Sequence, residues 1–221
     1  MKKVLFTLFV IILFTSVANA ESVKITGLSN EWANKYRYHS LVFLPDNHAI
    51  DTFGATISTD RLNLFPYVAF NPNADYFEWG MSLDGTITIS ETISARGIFF
   101  PFGWNFKGNK NWGAVASVEV IYNNLITVGF HRSIAPNNPE WRGNLILLGA
   151  SKNIFGFNLK AEAGYNWHFW TPESGFNGMA EVSRTFTSGK FWIKPVIRYF
   201  VAEKGLSQND LVLALVTGWN F

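Results

Sequence analysis

From Tyr76 to Ser90 the chain alternates without a break, with Phe77, Trp79, Met81, Leu83, Ile87 and Ile89 on one set of positions and Glu78, Ser82, Asp84, Thr86 and Thr88 on the other. A two-residue period puts successive side chains on opposite faces of an extended strand. Phe157 to Trp170 repeats it, setting Phe157, Leu159, Ala161, Ala163, Tyr165, Trp167 and Phe169 against Asn158, Lys160, Glu162, Gly164, Asn166, His168 and Trp170. Strands of globular sandwiches usually run to about 5–6 residues. Segments this long suit a tilted crossing of a bilayer instead.

Composition decides where the apolar faces go. Charged residues make up 15% of the chain, against about 25% in ordinary soluble domains. Aromatic residues are abundant, with 21 Phe, 9 Trp and 7 Tyr. After residue 20 no apolar run approaches the roughly 20 residues that a membrane helix needs. An exported chain with so much apolar surface and no spanning helix is either a large sandwich or a closed barrel in lipid. Alternation and aromatic strand ends recurring in most segments favour the barrel.

The first twenty residues, MKKVLFTLFVIILFTSVANA, carry Lys2 and Lys3, an apolar run from Val4 to about Phe14, and Ala18-Asn19-Ala20 before Glu21. They read as a secretory signal peptide, residues 1–20, leaving a mature chain that starts near Glu21. Its loss removes two of 18 basic residues, so 16 bases face 16 acids and the mature chain is formally neutral. Nucleic acid is therefore not an expected partner. With no cysteine there is neither a disulfide framework nor a lipoprotein anchor site.

Turn chemistry divides the rest into twelve expected strands: 35–44, 50–59, 61–70, 76–90, 93–105, 112–122, 125–134, 141–151, 157–170, 176–186, 190–202 and 211–221. Longer connections rich in Pro, Asn and Gly alternate with tight turns, as loops and periplasmic turns do in outer-membrane barrels. The expected organisation is all-β: a periplasmic lead-in over 21–34 and one antiparallel barrel over 35–221, both termini in the periplasm. The longest loop is expected near eight residues, which leaves little surface for a large partner such as an adhesion target or phage.

The final stretch, LVLALVTGWNF, alternates to its last residue. A terminal Phe on such a strand resembles the signal read by the outer-membrane barrel assembly machinery. The resemblance makes Trp219 and Phe221 the recognition residues, placed in the aromatic girdle at the periplasmic interface. Over the whole mature chain the architecture is similar to narrow twelve-stranded solute channels, the oligogalacturonate and sialic-acid porins and the nucleoside channels. That resemblance implies lipid bilayer and lipopolysaccharide as surroundings and a small polar solute as cargo. The outward aromatics would pack equally well against lipid or a sister barrel, so a homo-oligomer is compatible with the pattern.

Register sorts the charges, since a neighbour of a lipid-facing residue points inward. Arg37, Glu78, Asp84, Arg96, Glu119, Arg142, Lys160, Glu162, Glu181, Lys194 and Arg198 are expected inside, and only Arg132 and Arg184 outside, both near strand ends. The lining of a lumen would then carry Lys194, Arg198 and Arg37 on one wall and Glu78, Asp84 and Glu119, with Arg96 between them, on the other. Such segregation would set a transverse field across a constriction. The competing account is an interior filled by mutually paired charges.

One stretch could carry chemistry. His131 and Ser133 lie two apart on one strand and share a face, as a general base and nucleophile must. The pair resembles the His-x-Ser of outer-membrane acyl hydrolases of the phospholipase and lipid A deacylase types, with Asn144 or Glu140 as the orienting third member. In those families Asn follows the serine, whereas Ile134 follows here, and the register turns both residues inward instead of toward lipid. The expectation is therefore a channel, not an enzyme. No cofactor or metal is expected, since the four His lie apart and no phosphate-cradling glycine loop or haem motif occurs.

Overall fold

The computed structural model describes residues 24–35, 37–38, 41–42, 49–59, 62–204, 206 and 209–221. The expected signal peptide lies outside them. The described residues form twelve barrel strands: β1 Lys24–Ala33, β2 Ile50–Ser58, β3 Leu62–Asn71, β4 Tyr76–Thr88, β5 Ile93–Phe106, β6 Asn109–Tyr122, β7 Ile126–Ile134, β8 Asn144–Ile154, β9 Phe157–Trp167, β10 Ser174–Ser183 continued by Phe186–Ser188, β11 Phe191–Ala202 and β12 Asp210–Asn220. Each pairs antiparallel with its neighbours in chain order. β12 closes on β1 through rungs from Gly27↔Asn220 to Ala33↔Ala214. Closure leaves no sheet edge, which a strand surrounded by hydrocarbon requires.

Tight turns form where two successive residues accept positive φ. Lys107-Gly108 joins β5 to β6, Asn123-Asn124 begins the turn to β7, and Phe155-Gly156 joins β8 to β9, all at φ between 50° and 81°. This mirror-image turn matches the twist of the flanking strands, and Gly or Asn adopts it at least cost. Ser58 and the connections at 89–92, 123–125, 155–156 and 189–190 share the end of the barrel that holds Lys24 and Phe221, here termed the turn end. The longer connections lie at the opposite, loop end, where Lys107-Gly108 forms a two-residue turn in place of the longer connection expected over 106–111.

Two expectations are corrected. The first barrel strand is 24–33, not 35–44, so residues 24–33 are part of the wall and not a lead-in. Gly27, Ser29 and Asn30 blur the alternation of KITGLSNEWA, and it is pairing on both sides, with β2 and β12, that makes the segment a strand. Within 35–44 the described residues form only a two-rung hairpin, Arg37–Tyr38 with Leu41–Val42, separate from the barrel sheet. The connection from Ala33 to Ile50 is accordingly longer than the eight residues expected of any loop.

The outer face carries the apolar alternates. Trp32, Phe53, Trp79, Trp112, Leu148, Phe176, Leu213 and Trp219 are all exposed, as a lipid-facing belt would be. Phe53 and Phe70 stack across β2 and β3 at 5.9 Å. Arg184 lies over the rings of Phe157 and Phe186 at the turn end, and Arg132 donates to Asn144 on the outer face near the loop end. Both arginines expected outside are there, close to strand ends where charge costs least.

Candidate functional site

The inner face has three parts. The first is ionic. Arg96 donates to Asp84 at 2.6 Å and approaches Glu119 at 3.7 Å. Lys160 pairs with Glu162 at 2.5 Å on β9. Arg198 lies between two acids, Glu181 at 2.8 Å and Glu31 at 2.7 Å. It reaches Glu31 over β12, whose small inward residues Val212 and Ala214 leave room.

This arrangement differs from the segregated walls expected. The wall expected to be basic supplies two carboxylates to its own guanidinium, so opposite charges are interleaved around the lumen. Lys194 faces inward nearer the turn end, beside Val216. Arg37 lies on the two-rung hairpin and not on a barrel strand. Arg142, expected inside, lies in the loop after Trp141 and donates to the carbonyls of Ala135 and Pro136 at 2.8 and 2.5 Å. Glu78 is 1% exposed and accepts hydrogen bonds from the hydroxyls of Tyr67 and Tyr76. Two donors compensate the loss of water around its carboxyl group.

The second part is aromatic, and the sequence reading did not anticipate it. Phe65 and Tyr67 of β3 continue into Phe100, Phe102 and Trp104 of β5, with centroids 6.4, 5.7, 5.1 and 5.4 Å apart in succession. β3 and β5 are separated by β4. The rings meet because the intervening inward position is Gly80, where a β-carbon would stand 2.5 Å from the Tyr67 ring. A signal was present in GIFFPFGWNF: once Arg96 is set inside, Phe100, Phe102, Trp104 and Phe106 must follow it, while Pro101, Gly103 and Asn105 face out.

The third part narrows the loop end. β9 stops at Trp167, three residues before the expected end, because His168 and Trp170 take positive φ. The side chain of Asn166 holds the turn, accepting from the Phe169 N–H at 2.7 Å and donating to the Phe169 carbonyl at 3.1 Å. Phe169, expected to face lipid, is instead fully buried inside with Val115 and Leu145, and Trp170 lies over the bare backbone of Gly113. The Trp170 N–H donates to the Trp141 carbonyl at 3.2 Å, tying this turn to the 135–143 loop.

His131 and Ser133 share the inner face, but their hydrogen bonds run apart. His131 Nδ1 bonds to Ser117 Oγ of β6 at 2.7 Å. Ser133 Oγ donates to the Trp141 carbonyl at 2.5 Å and accepts from the Gly143 N–H at 2.8 Å, which pins the 135–143 loop to the barrel. Asn144 faces outward on Arg132, and Glu140 is exposed in the loop. The base, nucleophile and third member of the hydrolase reading are therefore not assembled. Trp219 is on the outer face at the turn end, and the Phe221 N–H donates to the Thr26 carbonyl at 3.1 Å. Among the described residues no group of His, Cys, Asp and Glu is arranged to hold a metal ion.

Between the aromatic wall and β1, β11 and β12 lies a cavity of about 380 Å³, lined by Phe65, Tyr67, Phe100 and Phe102 on one side and by Glu31, Arg198 and Phe200 on the other. Lys35, which pairs with Asp210, stands at its rim.

No protein-family model matches the chain, and no curated protein matches it either. Solved structures do. A KdgM porin superposes with a TM-score of 0.60 at 8% identity, covering 88% of this chain and 99% of the porin. A KdgM porin in complex with disordered oligogalacturonate superposes with a TM-score of 0.58 at 7% identity, covering 90% and 99%. At that identity the likeness is one of fold, and the fold is that of a narrow, porin-like outer-membrane β-barrel.

Proposed function

We propose that the protein is an outer-membrane channel for passive diffusion of small polar solutes, with a weak preference for cations. The reading is carried by one observation: ionised side chains line the inside of a closed barrel whose outside is apolar. The Glu31 and Arg198 side chains stay 32% and 22% exposed on that inner face, which a sealed interior of paired charges would not leave open. Among the described residues the inward carboxylates Glu31, Glu78, Asp84, Glu119, Glu162, Glu181 and Asp210 outnumber the inward cations Lys35, Arg96, Lys160, Lys194 and Arg198. An acidic excess in a confined low-dielectric passage concentrates cations. The turn end faces the periplasm in this reading, and Trp219 and Phe221 of the last strand are what the assembly machinery recognises.

Planar-bilayer recording tests it. The purified barrel should give discrete conductance steps and a reversal potential of cationic sign in a KCl gradient. Asp84→Lys and Glu119→Lys should each move that potential toward anions. Absence of steps, or a potential unmoved by both substitutions, overturns the reading.

A further inference from the structure

The cavity beside the aromatic wall has two unlike sides, and the contrast between them defines what could occupy it. One side is Phe65, Tyr67, Phe100 and Phe102. The other presents the Glu31 carboxylate and the Arg198 guanidinium 2.7 Å apart, their side chains 32% and 22% exposed. The pair is thus open to a solute in the lumen and not sealed behind other groups.

We infer that this cavity is a binding site for a neutral pyranose sugar of one or two rings. A pyranose has a flat face of C–H groups, which packs on aromatic rings, and an edge of vicinal hydroxyls, each able to donate and accept. A carboxylate beside a guanidinium offers one acceptor and a fork of donors at the spacing of such a diol. The volume of about 380 Å³ lies near the lower end of ligand pockets, which run from roughly 300 to 1,000 Å³.

Charge excludes the close alternatives. An anionic sugar would bring its carboxylate toward Glu31, with Glu181 behind on the same arginine. A cationic sugar would meet the like charges of Arg198 and Lys35, while the carboxylates facing it are already engaged, Glu31 by Arg198 and Glu78 by Tyr67 and Tyr76. A purely apolar molecule would strip water from the Glu31–Arg198 pair and return no hydrogen bond, which is costly. The uncharged polyol matches both sides at once. The proposal rests on the channel reading only for how the solute reaches the site.

Tryptophan-fluorescence titration of the detergent-solubilised barrel with maltose, glucuronate and glucosamine tests the assignment without requiring conduction. Folding of each preparation is checked by its migration on unboiled and boiled gels. Maltose should give a saturable change, with the two charged sugars at least tenfold weaker. Phe100→Ala and Glu31→Gln should each weaken maltose tenfold or more, while Phe53→Ala on the outer face should leave it unchanged. Should Phe100→Ala fail to fold, Glu31→Gln and the charge series still decide. No saturable change in folded wild-type protein, binding that survives Glu31→Gln, or equal binding of a charged sugar overturns the proposal. Bilayer recording on the same preparation separates the two readings: binding without conductance refutes the channel alone, and conductance without binding refutes the sugar site alone.

Discussion

Tyr67 lies across the bare backbone of Gly80, with a hypothetical β-carbon there standing 2.5 Å from its ring and 2.7 Å from its hydroxyl oxygen. From that position the tyrosine does two jobs: its ring stacks on Phe100 across an intervening strand, and its hydroxyl donates to buried Glu78. One missing side chain thus couples the aromatic wall to the main buried carboxylate of the loop half.

Gly80→Ala should therefore displace Tyr67 and destabilise the barrel by about 1–3 kcal/mol, the usual cost of overpacking. Urea unfolding in micelles, followed by tryptophan fluorescence, measures it. Gly149→Ala is the matched control, since a β-carbon there meets nothing closer than 3.6 Å and the change should stay within about 0.5 kcal/mol.

Arg198 holds Glu31 and Glu181 together. Arg198→Ala leaves two carboxylates on one wall of the barrel without their shared cation. Partial exposure of all three groups reduces the penalty below that of a fully buried pair, to about 1–3 kcal/mol. The same substitution removes an inward positive charge, so the reversal potential should move further toward cations. An unmoved potential in folded variant protein would show that Arg198 does not line the conducting path.

Phe169 narrows the loop end from a turn and not from a strand. Phe169→Ala removes a fully buried ring and should cost about 3–5 kcal/mol. Single-channel conductance should rise, because the ring stands inside the barrel mouth. Unchanged conductance in folded variant protein would place the conducting path away from the Phe169–Trp170 turn.

Ser133 bonds to loop backbone and His131 to Ser117. Neither wild-type protein nor Ser133→Ala should release acyl chains from phospholipid or lipopolysaccharide. The variant should instead lose the anchor of the 135–143 loop, read as faster proteolysis of that loop in intact cells. Acyl release by the wild type that disappears in Ser133→Ala would restore the hydrolase reading.

The barrel was legible in the sequence because a membrane wall imposes a period of two on every crossing, and that period sorts residues locally. It set Asp84, Arg96, Glu119 and Arg198 inside and Arg132 and Arg184 outside, and the structure agrees at each. Turn chemistry was equally local at Asn123-Asn124, whereas Lys107-Gly108, expected within a longer connection, closed as a two-residue turn. Three features were decided only by tertiary structure. Residues 24–33 became the first strand because β2 and β12 both offered hydrogen bonds to a segment whose own pattern is weak. Phe169 turned from lipid to lumen because Asn166 capped a turn and Gly113 left space for the neighbouring Trp170. Charges that parity could place only on a face were drawn into Glu181–Arg198–Glu31 by reach across β12, a distance that depends on curvature. Alternation specifies a side for each residue; which residues on that side meet depends on how the sheet closes.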